Sequence, residues 1–367
     1  MAVKKDEKHG TWYYYGRYTD ALGNKKQYKK RGFKTKKEAK EAEQRFLLDP
    51  NSQSSMSLDN IVDLYMNREQ VHGLKKSTLY TNKETYDNHI KPFFGNKKVS
   101  AITVNAVELF VINLRTAKTT NGKTLNYQTI NHIKGTLSKF LNYALRLGLI
   151  KVNPCTLVPN VKPNQDETTR RDNFWELSEF DKFIKSVNSV KWQDIFYFLF
   201  ETGVRKGEMV ALQWQDINFA DCKVSINKTV TYRTNKKGPS LTPPKTKRSI
   251  RTIDLPDSLT NRLRQRYERE SKKDGFNDQY FVFGDIRPMA TGTLNYNLKK
   301  YIAKSGVKPI TVHGFRHSHA SLLIERGISD VLIAERLGHS VSELHKTYAH
   351  IYESRREDMC KKLNNIF

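Results

Sequence analysis

The sequence predicts three regions of different structural class: a small N-terminal β-sheet with one helix, an all-α domain, and a mixed α+β domain that is mainly helical. The chain has 367 residues, more than one hydrophobic core usually organises. Apolar residues alternate with polar ones near the N-terminus and then recur at helical spacing. Beyond residue 173, helical stripes mix with short β-branched alternations, and two polar segments, 49–57 and 158–173, separate the three regions.

The first region is small and basic. Residues 11–33 alternate aromatic and polar side chains around turn signals at Asp20 to Asn24, a pattern typical of a hairpin or a three-stranded sheet. Thr35 and Glu38 match a capping box, so we expect a helix to follow. A basic sheet of this kind suits a DNA groove. The candidate DNA contacts are Arg17, Lys25, Lys26, Lys29, Lys30 and Arg31.

The second region, residues 58–158, carries four apolar stripes that predict four helices. We expect Ser57, Ser77 and Asn105 to begin the first three. The fourth is the most regular and runs from Ile130 to Leu145 before the stop signals that follow. Lysines between the stripes are either solvated charges or phosphate contacts. The candidates for contact are Lys76, Lys134 and Lys139.

Residues 158–173 contain two prolines and many charges without apolar periodicity, which predicts an extended linker. Arg170 and Arg171 in this linker are further candidate phosphate contacts.

The third region begins with a helix that we expect Ser178 to cap. The apolar run Trp192–Phe200 predicts a buried helix whose end delivers Arg205, flanked by glycines. We expect Lys245 in a turn that joins two strands of one small sheet. The segments with strand-like alternation are 223–233, 241–246 and 250–255.

The net charge of +26 favours a polyanion as partner, and DNA or RNA fits better than an anionic membrane or a ribosomal role. The three cysteines are widely separated and show neither metal spacing nor a disulfide framework, which favours a reducing interior. We expect no signal peptide and no membrane-spanning segment, since no apolar run is long enough.

Several polar side chains toward the C-terminus suit chemistry at a phosphodiester. Two arginines can grip the non-bridging oxygens and stabilise the transition state. Histidines can donate hydrogen bonds or move protons, a lysine can protonate the leaving oxygen, and a tyrosine can attack. We expect neither a cofactor nor a metal, because a phosphotyrosyl ester conserves the bond energy and the histidines lack partners at metal spacing. The residues concerned are Arg205, Lys245, His313, Arg316, His339 and Tyr348.

The order and spacing of these six residues, including His313-x-x-Arg316 and Leu337-Gly338-His339, resemble the signature of the tyrosine recombinases, the phage-integrase family. The resemblance implies that Tyr348 is the nucleophile. Lys245, Lys247 and Arg248 could each be the general acid; Lys245 fits the family pattern best because it precedes Thr246, and the other two are candidate phosphate contacts or solvated charges. His313 is also a candidate base for Tyr348. His317 and Tyr352 are competing side chains for these roles that we consider weaker.

The resemblance also implies a domain organisation. Residues 1–50 correspond to an arm-type DNA-binding domain, 58–158 to a SAM-like helical core-binding domain, 159–173 to a linker, and 174–367 to the catalytic domain. The last of these ends in a tail helix with apolar residues at Met359, Leu363 and Ile366. Such a tail docks either on a neighbouring protomer, which we favour, or on its own domain.

We therefore expect a site-specific DNA recombinase that integrates and excises a mobile element, a temperate phage or an integrative conjugative element. It would act through a 3′-phosphotyrosyl intermediate and a Holliday junction. By resemblance, its partners are double-stranded DNA at core and arm attachment sites, three further copies in a homotetramer, an excisionase and a host DNA-bending protein, in the cytoplasm of a bacterial host. The alternatives are relaxation of DNA in the manner of a type IB topoisomerase and a non-catalytic DNA-binding regulator.

Overall fold

A computed structural model describes residues 2–19, 25–48, 56–119, 122–163, 173–232, 238–244 and 246–349, with backbone only for Ala2, Arg45, Leu48 and Lys247. The chain divides into two compact units, residues 1–170 and 171–367. Within the described residues, no helix is both long and apolar enough to cross a lipid bilayer.

The N-terminal region is an antiparallel sheet of three strands in sequence order, covered on one face by a helix. The ring of Phe46 on that helix packs against the rings of Tyr14 and Tyr28, which closes a small aromatic core. The expected turn at Asp20 to Asn24 lies outside the described residues. The elements are β1 (Ala2–Asp6), β2 (Thr11–Thr19), β3 (Lys25–Phe33) and α1 (Lys36–Leu48).

The second region is helical, as predicted, with one apolar core shared by its long helices. A π-helical stretch, Tyr86–Ile90, joins the helix Lys76–Thr85 to the helix Lys91–Phe94 without a break. The elements are α2 (Leu58–Val71), α3 (Lys76–Thr85), α4 (Lys91–Phe94), α5 (Val104–Thr116) and α6 (Tyr127–Arg146).

Two expected helix starts in this region are wrong by two residues. Ser57 does cap α2, since its hydroxyl accepts from the backbone N–H of Asn60. Ser77 lies inside the first turn of α3, because the Lys75 carbonyl already accepts the first helical hydrogen bonds. Asn105 lies inside α5, because the Thr103 hydroxyl accepts from the backbone N–H of Ala106 and caps the helix earlier.

The third region packs its helices around an aromatic core that includes Phe180, Phe196 and Phe315. Its first helix is capped by the Glu176–Glu179 pair and not by Ser178, since the Glu179 carboxylate accepts from the Glu176 backbone N–H. The helices are α7 (Leu177–Lys185), α8 (Val190–Thr202), α9 (Lys206–Ala211), α10 (Asp257–Glu270), α11 (Thr291–Ser305), α12 (Val312–Glu325), α13 (Asp330–Leu337) and α14 (341–349).

The strands of this region form two separate antiparallel sheets in the described part of the chain, whereas the sequence predicts one. Pro243 and Pro244 follow the strand that begins at Ser240, and since proline has no N–H to donate, that strand ends at Thr242. The next segment therefore crosses from one sheet to the other. The sheets are β4 (Ile217–Asn218), β5 (Lys223–Ile226) and β8 (Arg251–Asp254), and β6 (Thr229–Thr231) with β7 (Ser240–Thr242).

Candidate functional site

Arg316, in the first turns of α12, lies at the centre of the site and is only 1% exposed. Its guanidinium donates to the carbonyl of Gly203 at 2.9 Å and to the carbonyl of Leu337 at 2.6 Å. These carbonyls are at the C-terminal ends of α8 and α13, where helices leave carbonyls without internal partners. Arg316 therefore joins two helix ends and is held in one orientation by them.

Both of those helices end on a glycine in the left-handed conformation, Gly203 with φ +62° and Gly338 with φ +66°. A Cβ on Gly203 would lie 2.7 Å from the ring of His319, and one on Gly338 would lie 3.0 Å from the carbonyl oxygen of Arg248. Glycine is needed at both positions for conformation and for space. The two tight turns bring Arg205 and His339 to the same place.

Arg205 precedes α9 and is fixed by Glu208, one helical turn later. The Glu208 carboxylate accepts from the Arg205 guanidinium at 2.8 Å and from its backbone N–H at 2.9 Å, while it also receives the Arg251 guanidinium at 3.0 Å. Burial raises the pKa of Glu208, but the charges and hydrogen bonds of Arg251 and Arg205 outweigh it and lower that pKa overall. The carboxylate is therefore ionised at neutral pH. The Arg205 side chain is still 34% exposed, so part of its guanidinium is accessible to an anion.

His339 follows Gly338 and contacts Arg316 directly, with 2.8 Å between the Arg316 guanidinium and Nε2 of the imidazole. A guanidinium only donates, so Nε2 accepts and the ring is neutral with its proton on Nδ1. Burial and the charges of Arg316 and Arg205 lower the pKa of His339 to about 4, in agreement with a neutral ring.

His313 lies one turn before Arg316 on α12, with part of its side chain exposed. Partial loss of hydration, followed by the nearby His317 and by the charges of Arg316 and Arg205, lowers the pKa of His313 to about 4. Both histidines are therefore neutral near pH 7 in the absence of an anion. A bound phosphate would favour their protonation.

Two buried donors at the site, Arg316 Nε and His339 Nδ1, have no hydrogen-bond partner among the described residues. Buried donors are rarely left unpaired, because each costs about 1–3 kcal/mol. Both atoms have almost no accessible surface, so an oxygen in the neighbouring cleft reaches them only if the surrounding side chains move.

Beside these groups lies a cleft of about 590 Å³. Its walls carry the cationic side chains of Arg205 and Arg248, the acidic side chain of Glu343 and the neutral imidazole of His339. Lys245 and the side chain of Lys247 lie outside the described residues, but Pro244 and Thr246, which flank Lys245, both line the cleft. The sequence-predicted residues Arg205, Arg248, Arg316 and His339 are therefore brought together, and the segment that carries Lys245 borders them.

Tyr348 lies on α14 and is 2% exposed, packed among the apolar side chains of a small cluster with Leu337 and Leu344. Burial raises the pKa of Tyr348 to about 12, and the Arg316 charge partly offsets this. The hydroxyl lies 3.0 Å from Nδ1 of His317. The phenol of this chain therefore lies within electrostatic reach of Arg316, and its hydrogen-bond partner is His317 and not His313. Tyr352 and the tail lie outside the described residues.

The sequence prediction did not include two features that help to hold the site together, a buried arginine and a helix cap. Arg251 occupies an inward position of β8 beside Ile253, and an arginine at an apolar strand position was the signal that it has buried partners. Ser340 and Glu343 form a reciprocal capping box at the start of α14, since each accepts from the other's backbone N–H. The pattern Ser-x-x-Glu after Gly338 was visible in the sequence.

The basic residues of the N-terminal sheet divide between its two faces. Strand register places Lys26 opposite Tyr18 and Lys30 opposite Tyr14, on the face that α1 covers. The alternate positions lie on the open face, where Lys29 stacks over the Tyr13 ring at 4.8 Å. The candidates on the open face are Arg17, Lys25, Lys29 and Arg31.

In the helical region, Lys76 is exposed, whereas Lys139 donates to the side chain of Asn82 at 3.2 Å. The prediction that Lys134 contacts DNA is wrong. Its side chain is buried, with only 6% exposed, and its ammonium donates to the Val158 carbonyl at 2.6 Å, so it ties α6 to the segment that follows. Arg170 and Arg171 lie outside the described residues.

Three protein-family models match successive parts of the chain. Residues 172–355 match the phage integrase family, residues 2–49 match an arm DNA-binding domain, and residues 58–114 match the N-terminal SAM-like domain of phage integrases. The ICEBs1 integrase of Bacillus subtilis is 30% identical over 324 residues, which cover 85% of this chain and 84% of that protein.

Two solved structures share the fold. The integrase of the Tn1549 transposon in complex with a circular intermediate DNA has a TM-score of 0.69 at 18% identity and covers 84% of this chain and 99% of that one. A lambda integrase tetramer bound to a Holliday junction has a TM-score of 0.57 at 20% identity and covers 92% of this chain and 95% of that one.

Proposed function

Because this chain belongs to the phage integrase family and is a tyrosine site-specific recombinase of the mobile-element integrase type, we propose that its reaction takes place at the cleft beside Arg205, Arg316 and His339. The observation that carries this assignment is that the part-exposed guanidinium of Arg205 and the imidazole of His339 line one cleft, with the buried Arg316 in contact with His339 behind them. A phosphodiester in the cleft would accept hydrogen bonds from the exposed part of Arg205.

Tyr348 attacks the scissile phosphorus, which forms a 3′-phosphotyrosyl bond and breaks the bond to the 5′ oxygen. Arg205 and Arg316 stabilise the negative charge that the five-coordinate transition state places on the non-bridging oxygens. Lys245 protonates the leaving 5′ oxygen, and His313 and His339 donate hydrogen bonds to the phosphate. Attack by a 5′-hydroxyl from the partner duplex reverses the step and joins the strands.

The N-terminal region would bind arm-type DNA through its open basic face, and residues 58–158 would bind core-type DNA. The lambda integrase relative is a tetramer on a Holliday junction, which supports a tetramer as the working form of this chain. The assignment of domains to residues 1–50, 58–158, 159–173 and 174–367 accompanies this proposal. An excisionase and a host DNA-bending protein remain part of it on the family resemblance alone.

The proposal is tested by trapping covalent complexes on a library of nicked duplexes, in which cleavage releases a short fragment and cannot be reversed. We expect the wild type and Tyr352→Phe to form an adduct and Tyr348→Phe to form none. Adduct formation by Tyr348→Phe would mean that the nucleophile is assigned wrongly. Joining of two different duplexes, measured with the recovered sites, distinguishes recombination from relaxation alone.

A further inference from the structure

His317 has no role in the reaction proposed above, although it contacts the proposed nucleophile. It follows Arg316 on α12, and its ring lies against Tyr348. Its Nδ1 atom lies 3.0 Å from the Tyr348 hydroxyl, and the two ring centroids are 5.7 Å apart. A separation of 3.0 Å is a hydrogen bond of ordinary length.

The tyrosine needs such a partner. A phenol is a weak nucleophile until its proton leaves, and the buried surroundings of Tyr348 disfavour the phenolate, since burial raises its pKa to about 12. Arg316 stabilises the phenolate electrostatically but, as a guanidinium, cannot accept a proton. An imidazole nitrogen at hydrogen-bond distance can accept one.

The other side chains near the hydroxyl do not fill this role in the structure. His313 contacts the His317 ring edge to face, with centroids 4.8 Å apart, and no hydrogen bond joins His313 to Tyr348 among the described contacts. His339 is engaged with Arg316 through its accepting nitrogen.

Resting on the proposed role of Tyr348 as nucleophile, we propose that His317 is the general base of the cleavage step. The Tyr348 O–H donates to Nδ1 of a neutral His317 that carries its proton on Nε2. As the phenolic oxygen bonds to phosphorus, the proton moves to Nδ1, and the P–O5′ bond breaks with its electron pair on the 5′ oxygen, which Lys245 protonates. The reverse step returns the proton from His317 to the departing phenolic oxygen.

Two substitutions separate proton acceptance from positioning. His317→Asn leaves an amide oxygen near the place of Nδ1, so that it retains the hydrogen bond to Tyr348 but cannot act as a base. His317→Ala removes both functions and leaves space for imidazole from solution. His345→Gln is the matched control, because His345 lies on α14 but contacts Asp330.

The experiment measures single-turnover cleavage by the full chain on two substrates, an ordinary nicked duplex and one with sulfur replacing the 5′ bridging oxygen. A thiolate leaves without protonation, so the sulfur substrate no longer needs the general acid but still needs the general base. We expect His317→Asn to cleave both substrates about 10²–10⁴-fold more slowly than the wild type. We expect Lys245→Ala to be slow on the ordinary substrate and restored on the sulfur substrate. His345→Gln should cleave within about twofold of the wild type.

Imidazole in solution should increase cleavage by His317→Ala in proportion to its free-base concentration, a response that a purely structural residue would not give. Cleavage by His317→Asn at the wild-type rate, or its restoration on the sulfur substrate, would overturn the assignment of His317 as base. If Tyr348→Phe is inactive in the same assay, only the assignment of His317 is wrong and Tyr348 remains the nucleophile. If Tyr348→Phe is active, the proposed reaction at Tyr348 is itself wrong.

Discussion

Arg316 carries a charge in a place that water hardly reaches. Burial and the positive charges of Arg205 and Arg251 lower the pKa of its guanidinium to about 9, which still leaves it charged at neutral pH. Three hydrogen bonds, to Gly203, Leu337 and His339, hold it in place before DNA arrives. A donor fixed in this way needs no reorganisation in the transition state, which supports the catalytic role that we propose for Arg316.

Glu208 forms ion pairs with two of these arginines, Arg205 and Arg251, and its side chain is 3% exposed. We expect Glu208→Gln to lower the free energy of unfolding by about 3–5 kcal/mol, since it leaves buried positive charge without its partner. Cleavage should fall as well, because Arg205 loses the group that orients it.

The measurement for Glu208→Gln is chemical denaturation together with single-turnover cleavage. Glu268→Gln on the exposed side of α10 is the control and should change stability by no more than about 0.5 kcal/mol. Equal stabilities of the two variants would show that the carboxylate is not needed to compensate the arginines.

His319 gives the catalytic region a pH dependence of stability. Burial and the charge of Arg336 lower the pKa of His319 to about 3 in the folded chain, against about 6.5 when unfolded. Between these values only the unfolded state binds the proton, so stability falls as pH decreases below about 6.5. The lowered pKa values of His313 and His339 act in the same direction.

We therefore expect the Tm, followed by tryptophan fluorescence, to decrease between pH 7.5 and pH 5. His319→Gln retains an acceptor for the Arg336 guanidinium, which lies 3.0 Å from Nε2, but does not titrate. Its Tm should decrease less steeply over this range. A Tm that rises on acidification, or the same slope in both proteins, would contradict this explanation.

At the scale of elements, the site depends on where helices stop. α8 and α13 end on Gly203 and Gly338, and the carbonyls beside these turns are bound by Arg316. The chain offers a matched comparison, because Gly306 ends α11 with nearly the same conformation, φ +68°, but a Cβ at that position would meet no atom within 4 Å.

We expect Gly306→Ala to lower the free energy of unfolding by about 1–2 kcal/mol, the usual cost of the left-handed conformation. Gly203→Ala should cost clearly more and should also slow cleavage, because its Cβ would approach His319 and Leu337 to 2.7 and 2.9 Å. Denaturation curves and cleavage rates of both variants measure the difference. Equal effects of the two substitutions would mean that space at Gly203 does not matter.

At the scale of the whole molecule, the chain has a net charge of +26, and part of this positive charge lies on the N-terminal sheet. On the N-terminal sheet, the open face combines basic side chains with the rings of Tyr13 and Tyr15, and α1 covers the other face. The slope of log K against log salt concentration is proportional to the number of DNA phosphates that such cations neutralise.

We expect the triple substitution of Arg17, Lys25 and Lys29 by alanine to reduce the slope of log K against log salt for duplex DNA by up to about 3, roughly one unit for each lost phosphate contact. The double substitution of Lys26 and Lys30 by alanine, on the face covered by α1, should change the slope less per residue. Equal changes per residue, measured by fluorescence anisotropy of the full chain, would contradict a binding role specific to the open face.

The sequence was sufficient for the order and structural class of the three regions, because hydrophobic periodicity is a local property. It was not sufficient for partners that meet only through the fold. His317 and Tyr348 are 31 residues apart, and neither sequence spacing nor composition favoured that pair over His313. Lys134 looked like the other lysines of its helix, and its burial depends on where the segment at Val158 returns.

The helix starts and the sheet that were predicted wrongly have local explanations. Ser77 and Asn105 are good capping residues, but residues two positions earlier took the cap because helical hydrogen bonds had already begun there. The expected single sheet became two since Pro243 and Pro244 interrupt the strand before Lys245.

The residue that becomes covalently attached to DNA identifies the nucleophile directly. Trypsin digestion of the trapped adduct should release residues 347–355, a peptide that contains both Tyr348 and Tyr352. Fragmentation of this peptide by mass spectrometry locates the nucleotide remnant. We predict that it lies on Tyr348; a remnant on Tyr352, or on any residue outside this peptide, would contradict the central claim.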